Sequence, residues 1–287
     1  MSTAVVDGLA THFEVVGSGP PLLMFSPGGF NAAMENWRKQ GVYGKFKPLD
    51  HISKQYTCIA FDRREAGTSG GRVERITWSD YVAQAKGLLD HLDIGQAHIM
   101  GGCQGCAPAA AFAVAHPEVV LSMVLFWPTG GARYRIRSHS QFAEHLAYVQ
   151  EHGLEAVVSL AKSHDKGFSQ DARIGPWGPV LRHDPSFAEE FVRQDPDRYS
   201  LVVSGMVRGL IDRDTALGAE PEDLLRLDTP ALVIPGHDAA HGTSAARYLE
   251  ECIPGSQYWD APVPEQTEKT VAPRILEFLN SVSARNS

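Results

Sequence analysis

The segment from His98 to Glu118, HIMGGCQGCAPAAAFAVAHPE, admits few readings. An apolar strand runs into a turn crowded with glycines and then into a helix, and Cys103 stands at the crest of the turn. The glycines have a steric task. A strand that turns at once into a helix leaves no room for side chains beside the central residue, and such a turn calls for positive φ. Gly101-Gly102-Cys103-Gln104-Gly105 has the form G-x-C-x-G, which with serine in the centre is a nucleophile elbow. Taken alone, the pattern fits a tight turn around a small buried thiol as well as it fits a reactive cysteine. Cys103 and Cys106 also form a C-x-x-C pair, but nothing near them has the context of a redox motif.

The rest of the chain supplies the context. PPLLMFSP reads as a strand running into Gly28-Gly29, and YTCIAFDRR as another that ends at charged residues. WSDYVAQAKGLLDHLDI has helical spacing behind a Ser79 or Asp80 cap. VVLSMVLFWP is the strand after the elbow helix, TPALVIPGHD and SQYWDA are later strands, and SAARYLEECI and VAPRILEFLNSV are helices. This alternation predicts an α/β fold with a mostly parallel central sheet and helices on both faces. Between these parts the strand signals stop and helix-like runs take over, among them SQFAEHLAYVQEHG and PSFAEEFVRQ. The expected division is therefore a first part of the core at residues 1–130, an inserted helical cap at 131–225 and a second part of the core at 226–287.

Composition narrows the classes of function. The net charge of −8 is spread along the chain and no basic stripe exists to neutralise phosphates, so nucleic acid is not an expected partner. The first residues lack a basic stretch followed by an apolar run, and no segment is apolar enough to span a membrane. The four cysteines do not form a disulfide framework. These features point to a cytoplasmic location, with no membrane partner and with a homodimer left open.

Four segments in this order, SPGGF, FDRREAGTSG, GGCQG and LVIPGHD, each fall at the C-terminal end of an expected strand. In this the chain resembles the α/β-hydrolase fold superfamily, in its cap-containing branch, with cysteine in the elbow. The resemblance runs over nearly the whole length. It implies that FDRREAGTSG is a structural, hydrogen-bonded turn, although the family usually has a second glycine where Glu65 or Ala66 stands. It also implies an oxyanion hole made by the N–H of Gln104 and one from the turn after the early strand, here Gly29, with Gly28 and Phe30 as competitors.

For the other catalytic groups, the family order is nucleophile, acid, histidine. Asp238 in PGHD takes the position of the acid. The loop after the last strand, where the family's histidine belongs, contains none; His241 is the last histidine in the chain. His241 lies three residues beyond Asp238 in GHDAAHG, so one loop can deliver both the carboxylate and the imidazole. Cysteine needs less help than serine, and an imidazole in reach can hold it as a thiolate. Glu265, in the segment of the missing histidine, is a second candidate to orient the imidazole. The plainer alternative has His241 capping the helix near Thr243 or facing solvent. His237 is expected to point away, and His139 and His183 to be surface residues of the cap.

Trp37 and Trp127 are candidate apolar pocket walls, with core packing as the alternative. Arg133, Arg135 and Arg137 alternate as a solvated strand face would, with attraction of a substrate anion as the other reading. Cys103, His241 and Asp238 match no zinc spacing, and no metal or cofactor is expected. The reading as a whole is a hydrolase or acyl transferase acting on a small-molecule acyl substrate (an ester, thioester, lactone or amide) through an acyl-thioester on Cys103. Two alternatives stay open: a ligand-binding protein that keeps the fold without catalysis, and a lyase working in the same pocket.

Overall fold

The computed structural model describes residues 1–286. Eight strands, β1 (Ser2–Val6), β2 (Leu9–Val16), β3 (Pro21–Phe25), β4 (Thr57–Phe61), β5 (Ala97–Gly102), β6 (Val120–Phe126), β7 (Ala231–Ile234) and β8 (Gln257–Tyr258), form one sheet in the order β1-β2-β4-β3-β5-β6-β7-β8. β1 pairs antiparallel with β2 and β2 antiparallel with β4; all other pairs are parallel. The antiparallel β1–β2 hairpin lies outside the expected strands. Its turn is Asp7-Gly8, with φ of 49° and 69°, the conformation that an Asp-Gly hairpin turn favours.

Successive residues of the inner strands enter opposite cores, which is why these strands read as continuous apolar runs. Leu23, Phe25, Ile99 and Val233 pack under α4 (Trp78–His91), α5 (Cys106–Ala115) and α11 (Thr243–Cys252). Leu22, Met24, Met100 and Ile234 pack under α1 (Asn36–Lys39), α2 (Gly41–Phe46), α3 (Pro48–Ile52) and α12 (Glu268–Asn286). α4 starts two or three residues earlier than its expected Ser79 or Asp80 cap: Thr77 is the N-cap, and its N–H and hydroxyl both donate to the Asp80 carboxylate at 2.7 Å. The Thr77 side chain in turn accepts the Asp80 backbone N–H, and the reciprocal pair is a capping box.

Between β6 and β7 come α6 (Ala132–Ser163), broken at Gly153 with φ 79°, then α7 (Gly178–His183), α8 (Pro185–Val192), α9 (Pro196–Leu210) and α10 (Pro221–Leu224). They share an apolar core of their own, which includes Phe142, Trp177, Phe191 and Tyr199 and reaches Phe30 and Ala107 beside the elbow. Arg133, Arg135 and Arg137 belong to α6, so their alternation is not that of a strand face; Arg135 pairs with Asp214 at the surface. No helix among the described residues is long and apolar enough to cross a membrane.

The elbow shows why its glycines are needed. Cys103 has φ 55°, a left-handed conformation that costs an ordinary residue about 1–2 kcal/mol. A Cβ on Gly105 would stand 2.3 Å from the Phe25 carbonyl oxygen, and one on Gly101 2.6 Å from both the Cys106 Cα and the Gly105 oxygen. These neighbours are backbone atoms and cannot swing aside. Gly105→Ala is therefore expected to lower stability in urea unfolding by about 3 kcal/mol or more, as strong overpacking does. Gly95→Ala is the control. A Cβ there meets nothing within 4 Å, so its change should stay within about 0.5 kcal/mol. Equal stability of the two variants would show that the turn adapts.

Candidate active site

β5 delivers Cys103 to the C-terminal edge of the sheet, and the turn lifts its side chain, partly exposed, into a cavity of about 220 Å³. The N–H groups of Gly28 and Gln104 both point at the Cys103 sulfur. Gly28 can do so because its own peptide is held from behind. Asn36 Nδ2 donates to the Pro27 carbonyl at 2.7 Å, and since a peptide is planar, fixing that oxygen aims the Gly28 N–H the opposite way. Asn36 lies so close that a Cβ on Gly28 would meet its Nδ2 at 2.4 Å. Gly29, the residue expected to face the sulfur, lines the cavity and gives its carbonyl to Arg63.

The loop after β7 carries Asp238 and His241 together. The Asp238 carboxylate accepts the N–H of Ala240 at 2.8 Å and of His241 at 2.9 Å, which folds the loop back on itself. His241 Nδ1 then meets both carboxylate oxygens at 2.9 Å. Its other nitrogen, Nε2, is buried without a conventional hydrogen-bond partner and faces Cys103, near enough for the two groups to shift each other's titration. The Trp127 ring packs against the imidazole with centroids 5.3 Å apart.

These contacts set the charges. Burial resists a charged His241, but the Cys103 thiolate and the Asp238 carboxylate outweigh it and push the imidazole up to about 10. Burial likewise resists a Cys103 thiolate, yet His241 and the N–H groups of Gly28 and Gln104 bring the thiol below its ordinary value. The hydrogen bond from His241 holds Asp238 well below the usual carboxylate range. These contacts all favour a thiolate–imidazolium pair with the carboxylate behind it. The other thiols differ: burial pushes Cys58 up to about 12 and also raises Cys106 and Cys252.

Several expected residues lie elsewhere. Trp37 is not a pocket wall; it is fully buried beneath the elbow, edge to face with Tyr43, and fills the space that the missing Gly102 side chain leaves. Trp127 backs His241 and does not line the cavity, because its Nε1 donates to Gln266 at 2.7 Å and turns the ring toward the histidine. Glu265 does not orient the imidazole. It is exposed on the Val263–Glu265 turn, while its neighbour Gln266 is buried, donating to the carbonyls of Pro235 and Ala261 at 2.8 and 3.0 Å. His237, His139 and His183 bind Thr243, Ile211 and Pro179 respectively and do not reach the cavity.

In the FDRREAGTSG turn, Asp62 accepts the N–H groups of Met34 and Thr68, each at 2.8 Å. Glu65 takes φ 63°, so it stands where a glycine would be easiest to place, whereas Ala66 does not have positive φ. The cavity wall includes Phe30, Phe142 and Phe168, which contact one another, together with Tyr134, Ser138 and Arg137. Among the described residues no group of three or more His, Cys, Asp or Glu side chains is arranged to hold a metal ion.

Residues 21–161 match the model of the alpha/beta hydrolase fold. The dihydrolipoyllysine-residue acetyltransferase component of the acetoin cleaving system of Cupriavidus necator is 30% identical, over 44% of this chain and 32% of its own length. An uncharacterized hydrolase of Bacillus subtilis, YugF, is 24% identical over 90% of this chain and 98% of its own. The 2-hydroxymuconate semialdehyde hydrolase of a Pseudomonas species is 31% identical over 44% and 42%. The chain thus spans less than half the length of the first and third of these relatives and nearly all of the second. Among solved structures, the enol-lactonase of Burkholderia xenovorans LB400 superposes with a TM-score of 0.61 at 20% identity, covering 97% of this chain and 100% of the enzyme.

Proposed function

We propose that this chain, which has the α/β-hydrolase fold, is a hydrolase that attacks a small ester, thioester, lactone or amide with Cys103. The observation that carries the reading is the strained elbow cysteine, facing two backbone N–H groups and a buried, unpartnered imidazole nitrogen. A protein that only bound a ligand would have no use for left-handed strain and a depressed thiol at the same atom. The relatives named as a lactonase and a semialdehyde hydrolase favour a small acyl compound. The helices of residues 131–225 act as a cap on a core made of residues 1–130 and 226–287, and they exclude water from the cavity.

In this mechanism the Cys103 thiolate attacks the acyl carbon and a C–S bond forms. The carbonyl oxygen takes the negative charge and is held by the N–H groups of Gly28 and Gln104. As the intermediate collapses, the bond to the leaving group breaks, and His241 gives that group its Nε2 proton. The now neutral His241, oriented by Asp238, takes a proton from water, whose oxygen attacks the thioester. The acid leaves and the thiolate returns.

With p-nitrophenyl acetate, a burst of p-nitrophenol close to one equivalent of enzyme is expected, followed by slower turnover, with the acetyl mass on the Cys103 peptide. Deacylation is expected to be the slower step, because the His241 Nε2 that faces the sulfur must then take a proton from water. A folded protein that gives neither burst nor adduct across several acyl groups would favour the ligand-binding alternative. An adduct on Cys58, Cys106 or Cys252 would remove Cys103 from its role.

A further inference from the structure

A chain of hydrogen bonds from a buried arginine ends in the cavity, at a residue with no part in the mechanism above. Arg63 is 3% exposed. Its neighbour Arg64 pairs with the carboxylates of Glu65 and Glu74, whereas Arg63 donates to uncharged acceptors: the Gly29 carbonyl and Gln104 Oε1, the latter at 3.0 Å. The Arg63 guanidinium also lies 4.3 Å from the centre of the Tyr81 ring, and its Nε and Nη1 are buried without partners. Buried guanidinium is expensive to keep unless something is made of it.

What it does here is set a direction. A guanidinium has only N–H groups to offer, so the Gln104 side-chain atom that meets it must be the oxygen. The amide nitrogen is therefore turned the other way, where Nε2 donates to the Tyr134 hydroxyl at 3.1 Å. The phenol oxygen accepts that bond, and the phenol's own proton is left to be given elsewhere. Tyr134 lines the same cavity as Cys103, and the Ser138 hydroxyl, one turn further along α6 in the same wall, lies close to the phenol. Burial pushes the phenol up to about 12, and the Cys103 charge adds to this, so it keeps its proton at any working pH.

We infer that Tyr134 is a specificity-determining hydrogen-bond donor, which holds an acceptor oxygen of the substrate other than the one that Gly28 and Gln104 hold. Arg63 and the Gln104 side chain are positioning residues that fix where its proton points. The favoured substrates are then acyl compounds with a keto, hydroxy or ether oxygen close to the acyl group. This rests on reading the cavity as the substrate pocket.

The test compares two alkylating agents of similar size at Cys103: iodoacetamide, which has an acceptor oxygen, and 1-iodopropane, which has none. The ratio of their rates cancels any change in how much Cys103 is thiolate, which a merely structural disturbance would alter. Tyr134→Phe removes the donor and keeps the ring. Gln104→Glu keeps the size but places a carboxylate between Arg63 and Tyr134, so the phenol donates to it and turns its proton away from the cavity. Each variant is expected to lower the iodoacetamide-to-iodopropane ratio about fivefold, the worth of one neutral hydrogen bond. Wild-type ratios in both variants would overturn the inference, and a loss in Tyr134→Phe alone would overturn the positioning by Arg63 and Gln104. Alkylation needs only an accessible thiol, so a missing p-nitrophenol burst sinks the acyl-enzyme mechanism and leaves this ratio readable.

Discussion

His241→Ala is expected to slow the acylation of Cys103 at neutral pH by about a hundredfold or more, and to change the shape of its pH dependence. In the wild type, His241 and two N–H groups hold the thiol low against burial, and the imidazole is pushed up to about 10. Between those two titrations the pair is thiolate and imidazolium, so the burst rate should be flat with pH until His241 gives up its proton near its raised value. Removing the imidazole leaves burial, which raises the thiol, opposed only by Gly28 and Gln104. The thiolate fraction at neutral pH then falls. Below the new thiol pKa the rate should climb roughly tenfold per pH unit, because the thiolate fraction does. Burst kinetics across the pH range read both effects. A variant with the wild-type profile would show that His241 does not hold the thiolate.

Cys103→Ser is expected to cost about a thousandfold in acylation, which lies within the range of proton-transfer catalysis. A serine hydroxyl is not ionised at any working pH, so the ion pair cannot form beforehand. His241 would have to remove the proton during attack. Losing the thiolate also removes the first of the interactions that oppose burial at His241, so the imidazole becomes neutral more easily and is formally able to act as a base. Distance works against it. A C–O bond is shorter than a C–S bond, so the hydroxyl lies further from an Nε2 that already lacks a conventional partner. A serine variant within tenfold of the wild type would show that Asp238 and His241 serve as a general base and that the preformed thiolate is not required.

Much of the architecture is legible in the sequence. Strands covered on both faces read as nearly continuous apolar runs, and β3, β5 and β6 stand out for that reason, the buried His98 of β5 and Ser122 of β6 being paired with each other at 2.7 Å. The elbow can be found because its conformation excludes side chains at Gly101 and Gly105, a demand that only glycine meets. The β1–β2 hairpin carries its own signal, Asp7-Gly8 between alternating residues, but short strands beside an exposed edge mimic a plain leader segment. Asp238 and His241 meet as their spacing suggests, since a carboxylate that accepts N–H groups two and three residues ahead folds those residues against itself.

Where neighbours in a loop part company, only the tertiary structure decides. Glu265 is exposed and Gln266 is buried; Arg64 takes the carboxylates and Arg63 the carbonyls; the N–H of Gly28 faces the sulfur while Gly29 lines the cavity. Helices and strands repeat, so their periods announce which residues face inward, but a loop has no period and takes its orientation from what packs against it. Trp127 is turned by Gln266, from a segment far away in the chain, and the direction of the Tyr134 proton is set by a guanidinium two contacts away. By itself the sequence determined the parallel part of the sheet, the turn that raises Cys103 and the loop that holds His241 to Asp238, because each follows from local sterics and burial. Contacts between distant segments decided which backbone groups and side chains surround the sulfur, because hydrogen-bond direction and side-chain facing exist only once the partners are in place.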